Sequence, residues 1–165
     1  MKKTILMTAM LSAFLFSCKD NKTSSSTSEV HHEHETENIA HHDHGSEAMV
    51  LSNAWLKEIK LDEGKKWEAN LETTTGVNKM VEVIKHHNPN TLEGFHEMAE
   101  ELNVQKNYII KECTMTGPSH DNLHVFLHPL IDKIDALLKA ETIDEAKHLT
   151  ISINDNVEEY YNYFK

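Results

Sequence analysis

Along the chain, apolar and polar positions alternate in four blocks at helical spacing, preceded by an irregular stretch, a polar stretch and an apolar head. Val77, Met80, Val81 and Ile84 recur at i, i+3, i+4 and i+7, the stripe of an amphipathic helix. They predict a first helix over about Thr73 to His87, ended by Asn88-Pro89-Asn90. A second helix, over about Thr91 to Cys113, carries Phe95, Met98, Ala99, Leu102, Ile109, Ile110 and Cys113 along one face. Asn90 or Thr91 is placed to cap it, with Glu93 three positions past Asn90. Gly117-Pro118 breaks the chain, and a third helix over about Ser119 to Ala140 presents Leu123, Leu127, Leu130, Ile131, Ile134, Leu137 and Leu138. Pro129 lies inside it and predicts a bend, because the Val125 carbonyl loses its N–H partner. A fourth helix, over about Thr142 to Phe164, opens with a Thr142/Glu145 capping box and is striped by Ile143, Ala146, Leu149, Ile153, Val157, Tyr160 and Phe164.

Four helices of similar length with short connections predict an all-α, up-down-up-down four-helix bundle over residues 67–165. The competing architecture is a pair of helical hairpins completed by a partner chain. Residues 49–66 form an irregular lead-in in which Trp55, Leu56, Ile59 and Leu61 are available to pack. Residues 18–48 read as a disordered tether, since a run such as KDNKTSSSTSE buries too little apolar surface to fold.

The head of the chain, residues 1–17, has the form of an export signal. Lys2 and Lys3 precede an uncharged, mostly apolar stretch from Thr4 to Phe16. That stretch is shorter than the roughly 20 residues a membrane-spanning helix needs, and its flanks are those of a signal peptide. Leu15-Phe16-Ser17-Cys18 resembles the lipobox of bacterial lipoproteins, which implies that Cys18 is acylated and becomes the first residue of the mature chain. The alternative is an ordinary secretory signal with a chance cysteine. An acylated chain is held at a membrane surface, so the expected location is the bacterial cell envelope, at its periplasmic face or the cell surface.

Composition sharpens the picture. Lys and Arg total 16 against 27 Asp and Glu, for a formal charge of −11, and there are 13 His. An acidic surface argues against nucleic acid, whose phosphates need a basic face, and attracts cations instead. With Cys18 acylated, Cys113 is the one remaining thiol. It pairs between chains, stays free or binds metal.

The chemistry-bearing residues concentrate where the second helix turns into the third. Cys113, Met115, His120 and His124 fall within twelve residues across the Gly-Pro turn. His120 and His124 share a helix face, about 6 Å apart, a spacing that lets two imidazoles hold one ion. With a thiolate and a thioether from the facing turn, the set suits copper, with zinc as the alternative. His128 continues the row as a fifth donor or an exposed residue. Each member also has an ordinary role: Cys113 as a small buried hydrophobe, Met115 as a cap on the bundle end, and the histidines as a helix-start residue and a satisfied core residue. The tether adds HHEH (His31, His32, His34) and HHDH (His41, His42, His44), flexible tracts that take up metal ions readily and weakly. His86, His87, His96 and His148 form a further group, read chiefly as surface histidines.

Enzyme signatures are lacking: there is no Gly-rich phosphate loop, GxSxG or HExxH. Cys113 with His120 or His124 imitates a nucleophile and base, but no third group orients them. Met80 and His148 are candidate axial haem ligands of the kind found in bundle cytochromes, but no CxxCH is present.

Two stretches, GKKWEAN (Gly64 to Asn70) and CTMTGPSHDNLHVFLHPL (Cys113 to Leu130), resemble recurring signatures of small envelope lipoproteins from Bacteroidota-type bacteria. The resemblance spans about residues 65 to 165 and implies a helical-bundle envelope protein, without bringing an activity with it. Lys19-Asp20 after Cys18 resembles the surface-export signals of such proteins. The sequence thus leads to the expectation of a lipid-anchored, non-catalytic protein that captures or buffers copper or zinc outside the cytoplasm. The alternatives are a protein-interaction bundle without a specific metal site and, further off, a copper or haem electron carrier.

Overall fold

A computed structural model describes residues 50–165. The expected signal peptide, Cys18 and the six tether histidines lie outside the described residues. Within them the chain forms a 3-10 turn, Ala54–Lys57, and four α-helices: α1 Leu71–His86, α2 Leu92–Glu112, α3 Gly117–Leu137 and α4 Ile143–Tyr163. α1 packs on α2, α2 on α3, α3 on α4, and α4 closes back on α1. This is the all-α four-helix bundle expected from the periodicity.

The helix starts follow local chemistry. The Thr91 side chain accepts the Gly94 amide at 3.2 Å and so caps α2, settling the choice between Asn90 and Thr91. Thr142 likewise accepts the Glu145 amide at 3.2 Å. Glu145 returns its carboxylate to the Glu141 amide at 2.9 Å, one residue short of the expected reciprocal bond. α3 begins two residues earlier than the pattern predicts, at Gly117, whose φ of 64° is a left-handed conformation that glycine adopts without a Cβ penalty. Pro118 follows in the first turn, where its missing N–H is not needed. α3 runs unbroken through Pro129.

The core contains Val77, Met80, Leu102, Ile109, Phe126, Leu130, Ile134, Ile153 and Val157, all fully buried. At one end Tyr160 stacks on Phe164 at 5.0 Å, and Phe126 meets Tyr160 at 5.4 Å. Gly76 marks the close approach of α1 to α2: a Cβ there would lie 2.4 Å from Ile109 Cγ1.

The lead-in belongs to this core, which corrects the expectation that folding begins near Trp67. Trp55 and Ile59, 5% and 6% exposed, join the same buried cluster, and Trp55 meets Phe126 edge-on at 5.8 Å. Of the four lead-in residues expected to pack, Leu61 stays exposed. The lead-in is also held by polar bonds. The Lys60 amide donates to Asn122 Oδ1 at 2.8 Å, Ser152 Oγ donates to the Leu51 carbonyl at 2.9 Å, and the Trp67 amide donates to the Tyr163 carbonyl at 2.8 Å. A residue that periodicity places outside the core lies at its centre: Lys133 is fully buried, its ammonium donating to Asn53 Oδ1, Asn156 Oδ1 and the Ser152 carbonyl.

Candidate metal centre

α3 carries its histidines at i, i+4 and i+8, so the helical repeat stacks them on one face. The rings of His120 and His124 lie 4.4 Å apart between centroids, and those of His124 and His128 lie 5.1 Å apart. His120 is half-buried, while His124 and His128 are exposed. Desolvation lowers the pKa of His124 below its ordinary 6.5, and the neighbouring His120 and His128 push it the same way against a smaller pull from Asp121. The neutral imidazole, the form that ligates metal, is therefore favoured.

The sulfur donors do not join this row. Cys113 ends α2 in an extended conformation, and it and Met115 are half-buried and packed against the hydrophobic core. The thiol lies near enough to the Tyr160 phenol that its charge would raise the pKa of that group. Among the described residues no three His, Cys, Asp or Glu side chains are grouped to hold one ion. The structure therefore brings His120 and His124 together as expected, but does not bring Cys113 to them. The physical reason is that Cys113 lies on the apolar stripe of α2, so the packing that forms the bundle draws its side chain inward. The row on α3 instead flanks that helix's own apolar stripe, and His124 and His128 stay exposed.

The row runs into a groove of about 440 Å³ between the lead-in and α3. Trp55 and Glu58 line it on one side; His124, Val125, His128, Pro129 and Asp132 line it on the other. No lysine lines it. Asp132 continues the i, i+4 series from His128, a signal present in the sequence. Glu58 was beyond reach of sequence reasoning, because its position depends on how the lead-in packs.

His86, His87 and His96 serve separate partners. His86 Nδ1 bonds the Glu82 carbonyl at 2.7 Å, His87 Nε2 meets Glu101 Oε1 at 3.2 Å, and His96 Nε2 bonds the Ala140 carbonyl at 2.9 Å. His148 is exposed and lines a different groove with Asn53 and Ser152. Met80 is enclosed in the bundle core, so it does not share a cavity with His148 as an axial pair would. No helix of the described residues is long and apolar enough to cross a membrane. Compared with known proteins, the chain matches no family model, no curated protein and no solved structure.

Proposed function

We propose that this chain is a lipid-anchored envelope protein that captures or buffers a borderline divalent metal ion, zinc or copper(II), outside the cytoplasm. The imidazole row of α3 is the defined site, and the tether histidines collect ions loosely. The observation that carries the reading is the stacking of His120, His124 and His128 at 4.4 and 5.1 Å on one face of a helix. With Cys113 and Met115 packed into the bundle, the donors on offer are nitrogen and oxygen. Such donors suit zinc and copper(II), whereas copper(I) favours sulfur.

The test is calorimetric titration of the mature chain with all six tether histidines changed to serine. His124→Ala should weaken zinc binding by at least about tenfold, or about 1.4 kcal/mol. Unchanged affinity would remove the row from the account. Loss of labelled acyl chain in Cys18→Ser tests the anchor separately.

A second reading, a protein-docking bundle, draws on the exposed apolar side chains Leu71, Val104 and Ile110, at 76%, 62% and 52%. It gains if zinc affinity vanishes with the tether histidines alone.

A further inference from the structure

We infer that residues 50–59 form a strap that opens off the standing four-helix bundle as one unit, pivoting at Lys60 and uncovering the Lys133 side chain. The opening rests on neither the metal reading nor the lipid anchor.

Three observations set this segment apart from the helices it covers. First, it is fastened through side chains. Among the described residues no backbone–backbone hydrogen bond joins 50–59 to a helix; the Leu56, Glu58 and Ile59 amides turn back to the Asn53 and Trp55 carbonyls. Second, it is undercut on both flanks. A groove of about 440 Å³ lies between it and α3, and another of about 260 Å³ lies between Leu51 and Asn53 on one side and Ile151 and Asp155 of α4 on the other. A narrow line of contacts holds the strap between those grooves: Trp55 and Ile59 in the core cluster, and Asn53 on Lys133. Third, the attachment changes character at Lys60. Its amide donates to Asn122 Oδ1 at 2.8 Å and its carbonyl accepts the Trp67 indole at 2.7 Å. Beyond it the chain is held by backbone bonds, with the Trp67 amide on the Tyr163 carbonyl at 2.8 Å and the Lys165 amide on the Trp67 carbonyl at 3.0 Å.

The buried charge explains why this unit leaves by itself. In the closed form the Lys133 ammonium is fully buried and donates to Asn53 Oδ1, Asn156 Oδ1 and the Ser152 carbonyl. Opening removes Asn53 alone. The two α4 acceptors stay, and water replaces the third. Hydration of a charge is far more favourable than hydration of a neutral polar group, so it offsets part of what is lost when Trp55 and Ile59 leave the core. Separating a helix would expose the apolar core without any such return. Segments with few buried apolar contacts open before the rest of a domain. Released, residues 50–59 add up to about 35 Å of extended chain between the bundle and the N-terminal residues.

The test is native-state hydrogen exchange on the full mature chain, read by NMR. The Trp55 indole N–H and the Glu58 and Ile59 amides should share one opening constant, at least about a hundredfold larger than that of the Leu130, Ile134 and Ile153 amides. Val77→Ala, in the buried face of α1, weakens the closed and the open form alike. It should raise the helix constants about tenfold or more and change the strap constant by less than about twofold. A small amine-directed acylating reagent gives a second readout: Lys133 should be modified at a rate that follows the strap constant and is unmoved by Val77→Ala. The strap is overturned if its reporters carry the same constant as the helix amides, if they open independently of one another, or if Val77→Ala speeds strap exchange and Lys133 acylation as much as helix exchange.

Discussion

The Lys133 ammonium lies 2.6 Å from Asn53 Oδ1, joining the middle of α3 to a residue 80 positions earlier in the chain. Asn156 Oδ1 at 2.9 Å and the Ser152 carbonyl at 3.3 Å complete its partners. A buried charge is tolerated only when its hydrogen bonds are made. Here three neutral oxygens from the lead-in and α4 make them. The bond also sets the groove wall, because Asn53 Oδ1 receives the Trp55 indole and Trp55 precedes Glu58. Four expectations follow from this and related contacts.

Lys133→Met should lower stability by about 2 kcal/mol at pH 7, because Asn156 Oδ1 is left buried without its donor. The same variant should loosen the lead-in. Urea unfolding gives the stability, and Trp55 fluorescence should report wider solvent access even in the folded state.

Stability should climb with pH between about 8 and 10.5. Burial lowers the Lys133 pKa from 10.5 to about 8, with Asp155 opposing the shift. Below pH 8 both states are protonated and folding carries the full cost of burying the charge. Between 8 and 10.5 only the unfolded state binds the proton, so raising the pH favours the fold, by about 3 kcal/mol across the window. Tyr160 acts in the opposite sense at higher pH: burial pushes its pKa from 10.0 up to about 12, so stability falls over that range. Denaturation curves from pH 7 to 12 should therefore show a maximum near 10. Lys133→Met should flatten the rise, and Tyr160→Phe the fall.

His124 should titrate below 6.5 in the metal-free protein, as followed by imidazole proton shifts in NMR. His120→Gln removes one of the two neighbouring imidazoles that disfavour its charged form, so the His124 midpoint should move upward. A midpoint unchanged by that substitution would mean that His120 has no part in setting it.

Gly76→Ala should destabilise the bundle even though alanine favours a helix by about 1 kcal/mol. The new methyl would lie 2.4 Å from Ile109 Cγ1 and 3.0 Å from its Cδ1, and overpacking of this kind costs about 1–3 kcal/mol. Removing the Ile109 branch in Gly76→Ala/Ile109→Ala should give a loss smaller than the sum of the two single losses.

The four helices were legible because each carries a stripe at the helical period, and the ends of α2 and α4 carry threonine caps. Ile110 and Ile143 fall on those stripes, yet they are 52% and 38% exposed. A stripe specifies a direction, whereas the reach of neighbouring helices decides how far around it burial extends. Gly76 and Lys133 gave no signal. A glycine within an apolar pattern does not reveal what approaches it, and a lysine on a helix reads as surface until its acceptors are known.

The candidate site divides along the same line. Spacing alone determined that His120, His124 and His128 share one face of α3, because that depends only on the geometry of a single helix. Spacing could not show that Cys113 packs against the hydrophobic core or that Glu58 lines the same groove as His128. Those relations join residues far apart in the sequence, and they are set by which apolar surfaces the bundle and its lead-in bury against each other. The sequence determined the helices, their order and the imidazole row; tertiary packing decided which donors that row can meet.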